Sequence, residues 1–433
     1  MRRIVLILAG LSLPASALAA SGRQPIEPID VPPSIEQGLD MVYIDREMAP
    51  SIQQRDEQQQ AQGLDDFKVA PVDMFSPVHP LYTDLRRALV RYQMRWGSLP
   101  QVEVPAGPTL KQNMTGDRVA LLRQRLGLPE GTKFDAPLAA AVKEFQEAHG
   151  MKGDGVAGAG TLAALNRGYK HYENILLLNL ERARRLPETT ESGRYILVDA
   201  GAARLWMYED GKPVDSMRVI VGSNATETPM MAALLRFVSV HPWWNTPPEL
   251  AKKSVAPGVL KEGMKYLTDR DYQVLSDWSD DAQPIDPATV DWQAVADGKI
   301  TARLRRGPGE WNSMGDYKFN MPNDFGIYLH DVPSHEKDLF KADNRWISNG
   351  CIRLEDAQRL AKWLFGKPLT AEDSKTEVNV DLPQPVPVYV TYLTAGAGPN
   401  GPTFRADPYN RDPALLARYF GEGKQQQVAA FNP

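Results

Sequence analysis

One cysteine, Cys351, is all the thiol chemistry that 433 residues hold. A lone cysteine makes no internal disulfide, so its value lies in packing, metal binding or nucleophilicity, and packing alone must hold the fold together. Histidine is scarce as well, six residues scattered along the chain. One Cys with scattered His offers no ligand spacing, so neither a metal site nor a cofactor is expected. Neither charge dominates: 49 basic against 54 acidic residues leave a formal net charge of −5, which gives no reason to expect nucleic acid as a partner. Long apolar runs are missing beyond the N-terminus, so stable membrane insertion is not expected. Met1-Arg2-Arg3, the apolar stretch Ile4 to Leu13 and Ala17-Leu18-Ala19 form a basic end, a short core and an A-x-A site. That pattern reads as a secretory signal over residues 1–20, with an uncleaved anchor as the alternative. No cysteine follows the cleavage site, which argues against a lipoprotein.

With 42% hydrophobic residues there is material for two or three domains. Residues 21–73 are rich in Pro, Gln, Asp and Glu and read as a flexible leader, parts of which could pack on a neighbouring domain. Residues 74–108 contain a helical scaffold: from Pro80, Leu81, Leu85, Ala88, Leu89 and Tyr92 recur at helical intervals, with Thr83 or Asp84 as a cap. Residues 109–168 hold three short helical patterns joined by Gly/Asp turns, through Val119 and Leu122, Leu138 and Phe145, and Leu162 and Leu165. Residues 169–193 read as a helical linker.

From Arg194 the period changes to alternation, with a hairpin turn at Glu209-Asp210-Gly211. This β-rich domain runs over residues 194–394. A strand through Phe237 to Val240 ends in Trp243-Trp244 and a Pro-Pro pair, where the rings are a groove wall or plain packing. An insertion follows at about 251–322. Ala357 to Phe365 reads as an amphipathic helix, Val386 to Leu393 as a closing strand and residues 395–433 as a polar tail. The expected class is α+β.

The chemistry concentrates between Ile327 and Leu354. Cys351 follows Ser348-Asn349-Gly350, a loop composition that exposes a thiol and lets backbone N–H groups converge on an oxygen. His330 ends the alternating run Phe325 to His330 and is placed to take the thiol proton. His241 is the other candidate base, and His335 reads as exposed. Seventeen residues separate His330 from Ser348. This resembles the signature H-x(14–17)-[S/T]-x-G-C of the L,D-transpeptidases with a YkuD-type catalytic domain, and the ending Gly350-Cys351-Ile352-Arg353 resembles their larger periplasmic branch. Asn349 stands where many members have histidine. The order of Gly, Asp and apolar residues over 109–168 resembles the PG-binding-1 domain of cell-wall enzymes.

The resemblance implies a three-helix peptidoglycan-binding bundle and a catalytic domain whose insertion forms a capping subdomain. It implies a periplasmic enzyme that joins peptidoglycan stem peptides 3→3, with a tetrapeptide as donor and a diaminopimelate amine as acceptor. Carbapenem-type inhibitors would acylate it. Cys351 is then the nucleophile, His330 the base, the carbonyl of Asp331 the orienting group, and the N–H groups of Gly350 and Cys351 the oxyanion donors. Arg353, Tyr328, Ser348, Asn349, Trp243 and Trp244 are the expected substrate contacts. The same dyad fits a carboxypeptidase or a lipoprotein-anchoring enzyme, and a non-catalytic wall-binding protein is the rival from another class.

Overall fold

A computed structural model describes residues 39, 41–45, 78–186, 193–279, 281–323, 325–370, 376–399 and 401–421. The signal-sequence reading and most of the leader fall outside the described residues.

The part of the leader that is described packs firmly. Strand β1 (Val42–Tyr43) runs parallel to β5 (Met231–Val240). Leu39, Met41 and Ile44 are buried, and the Asp45 carboxylate accepts from the Leu234 N–H at 2.6 Å and pairs with Arg236 at 2.9 Å. Helix α1 (Pro80–Trp96) begins where Pro is tolerated at a first turn. Its cap is His79, whose Nδ1 accepts from the Leu81 N–H at 3.2 Å, rather than Thr83 or Asp84. Tyr82, Leu85, Ala88, Tyr92 and Trp96 form its buried stripe.

The three expected helices are α2 (Asp117–Arg125), α3 (Ala136–Ala148) and α4 (Ala159–Asn166). Leu122, Phe134, Leu138, Val142 and Leu165 pack between them in one core with α1. Gln146 fastens the last turn by donating to Asp154 and the Val156 carbonyl, each at 2.9 Å, and accepting from the Gly155 N–H at 2.9 Å. Gly155 has φ +69°, and a Cβ there would lie 2.9 Å from the Ala139 carbonyl oxygen, so glycine is required. Helix α5 (Gly168–Arg184) packs on α1 and carries the chain toward the β domain.

That domain is a ring of strands. The order β5, β10 (Tyr317–Asn320), β11 (Leu329–His330), β13 (Ile352–Leu354), β4 (Lys212–Gly222), β3 (Arg204–Glu209), β2 (Arg194–Asp199), β14 (Val378–Thr391) closes because β14 also pairs with β5. β12 (Trp346–Ser348) adds to β4. Ile196, Leu205, Val219, Leu235, Phe319, Leu329, Ile352 and Val388 meet in the main core. Helix α8 (Ala357–Phe365) lays Leu360, Ala361 and Leu364 on it and stops at Gly366 in the left-handed region.

The insertion folds on a core of its own. Strands β6 (Trp244–Thr246), β9 (Arg303–Arg306), β7 (Tyr272–Leu275) and β8 (Pro284–Ile285) form a second sheet under α6 (Ala256–Glu262) and α7 (Trp292–Asp297). Val255, Val259, Val274, Trp292 and Leu304 fill it. Its sheet therefore starts at Trp244, and the sequence-derived limit of 322 is too late, because Tyr317–Asn320 is a strand of the main ring.

Nor are residues 395–421 a tail. β15 (Ala395–Gly398) and β16 (Gly401–Phe404) form a hairpin whose Ala395 and Phe404 complete the helical core, and α9 (Asp412–Phe420) docks on α5. Arg182 and Asp412, both almost fully buried, pair at 2.8 Å beside Thr394. Glycines, prolines and polar residues hide this segment, since its order comes from partners far away in the chain. Among the described residues no helix is long and apolar enough to cross a membrane.

Candidate active site

Parallel pairing of β11 with β13 brings the two candidate reacting residues together. Leu329 faces Ile352 and His330 faces Arg353, so Cys351 stands just before the start of β13, level with Tyr328 just before the start of β11. The thiol lies along residues 326–328: Sγ donates to the Gly326 carbonyl at 3.4 Å, and the Tyr328 N–H points back at the sulfur. The residue as a whole is half-buried rather than sealed.

The loop before it is built from the inside. The Ser348 hydroxyl donates to the Cys351 carbonyl at 2.6 Å and accepts from the Gly350 N–H at 3.1 Å. Thr228 donates to the Gly350 carbonyl at 2.7 Å, and Thr226 to the Ser348 carbonyl at 3.0 Å. Gly350 needs its φ of +109° to make this turn. Two expectations are corrected here. Ser348 is buried and its hydroxyl is used within the loop, so it is not a substrate contact. The Gly350 N–H already has an acceptor and is not an oxyanion donor, whereas the Cys351 N–H meets no acceptor among the described residues.

His330 is buried, and its Nδ1 lies 2.6 Å from the Asp331 carbonyl oxygen. A proton on Nδ1 donates to that carbonyl and leaves Nε2 as the basic nitrogen. The Asp331 carboxylate is occupied elsewhere, pairing with Lys337 at 2.5 Å and accepting from the Asp316 N–H at 3.2 Å. Burial, then Arg353 and Lys318, hold the imidazole pKa down at about 3, against the pull of the Asp331 carbonyl. Burial also pushes the Cys351 thiol up, opposed by the Tyr328 N–H, Lys318 and Arg353. A neutral imidazole and a protonated thiol are the resting forms these effects favour, and a neutral ring is one that can accept a proton.

The remaining expected contacts divide. Asn349 is exposed and Tyr328 half-buried at the site. Arg353 is already paired with Glu336 at 3.0 Å, so its expected carboxylate partner belongs to the protein itself. Trp243 and Trp244 do not form a bare wall: Arg305 lies 4.3 Å over the first ring and Arg306 5.2 Å over the second, which ties them to the capping sheet. His335 is exposed, and His241 sits just after β5 with its N–H on the Asp316 carbonyl at 2.9 Å. Sequence reasoning misses Lys318 as a site residue. Its signal is a lysine alternating with the buried Tyr317 and Phe319 in a strand.

Residues 193–388 match the family described as the L,D-transpeptidase catalytic domain (YkuD), and residues 116–165 match the "Putative peptidoglycan binding domain". A "Putative L,D-transpeptidase" of Haemophilus influenzae is 34% identical over 227 residues, which cover 51% of this chain and 44% of that protein. The chain thus spans less than half the length of the curated relative it matches. Among solved structures, an L,D-transpeptidase of Xylanimonas cellulosilytica is 16% identical with a TM-score of 0.20, covering 66% of this chain and 100% of that one. The catalytic domain of an E. faecium L,D-transpeptidase acylated by ertapenem is 16% identical with a TM-score of 0.22, covering 46% and 97%. From the two family matches, this chain carries a YkuD-type L,D-transpeptidase catalytic domain and, before it, a domain of the peptidoglycan-binding type.

Proposed function

We propose that the chain is a cysteine-dependent L,D-transpeptidase of the larger periplasmic branch, forming 3→3 cross-links between peptidoglycan stems. His330 Nε2 takes the Cys351 proton, and the thiolate attacks the carbonyl between the third and fourth residues of a tetrapeptide donor. The Cys351 N–H faces the developing oxyanion, an interaction worth about 3 kcal/mol in comparable sites. The imidazolium returns its proton to the departing amine, and terminal D-Ala leaves. A diaminopimelate amine from a second stem then attacks the thioester, gives up a proton to His330 and releases the sulfur.

The observations that support this reading are the pairing of β11 with β13, which starts the cysteine's strand alongside the histidine's, and the main-chain carbonyl that fixes one nitrogen of the ring. A short acylating β-lactam of the carbapenem type would meet the same sulfur. Export to the periplasm by residues 1–20 completes the proposal.

Purified protein incubated with disaccharide-tetrapeptide tests it through the masses of the products. A dimer lacking one D-Ala supports cross-linking. Trimmed monomer alone means that water is the acceptor, and attachment only to a protein lysine means that the chain anchors lipoproteins.

A further inference from the structure

Strand β10 brings another charge to the face that carries the dyad. In the β10–β11 register Lys318 stands opposite His330, and in the β11–β13 register His330 stands opposite Arg353. Directly opposed residues share a sheet face, so a lysine, the histidine and an arginine form one row across three strands. The groups acting on Cys351 are Lys318 from β10, Tyr328 just before β11 and Arg353 from β13, and His330 stands between Lys318 and Arg353 in the row. Glu336, in the 3-10 helix Ser334–Lys341, neutralises Arg353.

Lys318 has no carboxylate in direct contact. Among the described residues no carboxylate comes within 4.0 Å of its ammonium, which sits 3.9 Å above the Tyr328 ring. Removing an ammonium from water without an anion is unfavourable, and an aromatic face offsets only part of that. Burial pushes the Lys318 pKa down. The two groups that hold it up are Glu377, whose carboxylate accepts from the Trp243 N–H at 2.8 Å, and Cys351.

We propose that Lys318 is a positioning residue for acyl transfer: its ammonium, seated on the Tyr328 ring with no carboxylate in contact, stabilises Cys351 as the thiolate. The thiol proton leaves through His330 Nε2, and the lysine charge balances the sulfur it leaves behind. This rests on the reading of Cys351 as the nucleophile, but not on which acceptor ends the reaction.

The test is the pH dependence of iodoacetamide alkylation of Cys351 in the full chain without stem peptide. Lys318→Met is expected to raise the midpoint by about one unit, a tenfold loss of thiolate at a given pH below it. Lys318→Arg, which keeps the cation, is expected to return the rate to within about threefold of wild type. Lys318→Gln is read in the same way if the methionine variant does not fold. An unchanged midpoint in a folded Met or Gln variant overturns the proposal, as does a rise in KM for donor with the midpoint in place. A shifted midpoint in a protein that yields no cross-linked product keeps this inference and removes the proposed function. Cross-linking with a midpoint indifferent to Lys318 does the reverse.

Discussion

The Ser348 hydroxyl and the Cys351 carbonyl are 2.6 Å apart, three residues from one another in the loop that presents the sulfur. The same oxygen receives the Gly350 N–H, so one side chain fixes the backbone on both sides of the peptide preceding the nucleophile. Ser348→Ala should cost about 1–3 kcal/mol in urea unfolding, because it leaves two buried polar groups unpaired. It should also slow acylation by roughly tenfold or more through misplacement of the sulfur. Ser348→Thr should recover most of both.

Asp331 acts on His330 through its main chain, while its carboxylate joins Lys337 and the Asp316 N–H. Asp331→Asn keeps the carbonyl and an acceptor for Asp316, so acylation should fall by no more than about fivefold. A loss of about 100-fold or more would mean that the carboxylate takes part in the chemistry, which an orienting backbone oxygen does not require.

The two reacting groups titrate away from neutrality in opposite directions, Cys351 upward and His330 down to about 3. His330 therefore stays an acceptor through the whole working range, and the thiolate fraction grows as pH rises. The acylation rate should climb steadily from about pH 6 to pH 9 with no inflection near the ordinary histidine value. A bell-shaped profile centred near 6.5 would place an imidazolium in the resting site instead.

His149 lies in the aromatic core of the helical domain, its Nδ1 2.7 Å from the Phe145 carbonyl and its Nε2 3.2 Å from the Tyr92 hydroxyl. Burial holds its pKa down at about 4. The unfolded chain takes up the proton first, so the stability this histidine contributes is whole above about 6.5 and is lost as pH falls toward 4. The effect is of order 3 kcal/mol. His149→Phe should unfold at lower urea at about pH 7.5 yet lose less stability than wild type between about pH 7 and pH 4.

Much of the fold and of the site is legible in the sequence itself. The alternation around Tyr195, Leu205 and Val219, the Asp210-Gly211 turn and the spacing of Leu138, Val142 and Phe145 all follow from local period and turn chemistry. His330 and Cys351 stand out because few other residues of their kinds exist. What local pattern does not convey depends on register and on distant partners. The Gly350 N–H reads as free along the chain, yet the Ser348 hydroxyl lies beneath it, and Arg353 reads as available, yet the 3-10 helix brings Glu336 to it. Asp412 and Thr394 meet Arg182 and Asn179 across more than 200 positions, which leaves a docked helix reading as a polar tail. Arg182→Met would expose that dependence by stranding Asp412, with a cost of about 3–5 kcal/mol in urea unfolding.

The most direct test of the account is the mass of the protein itself during turnover. After brief incubation with disaccharide-tetrapeptide and an acid quench, the chain should gain the mass of the donor less its terminal D-Ala. Peptide mapping should put that gain on the fragment containing Cys351, and Cys351→Ala should show neither adduct nor product. An adduct on another residue, or product formation by Cys351→Ala, would contradict the claim that this sulfur carries the acyl group.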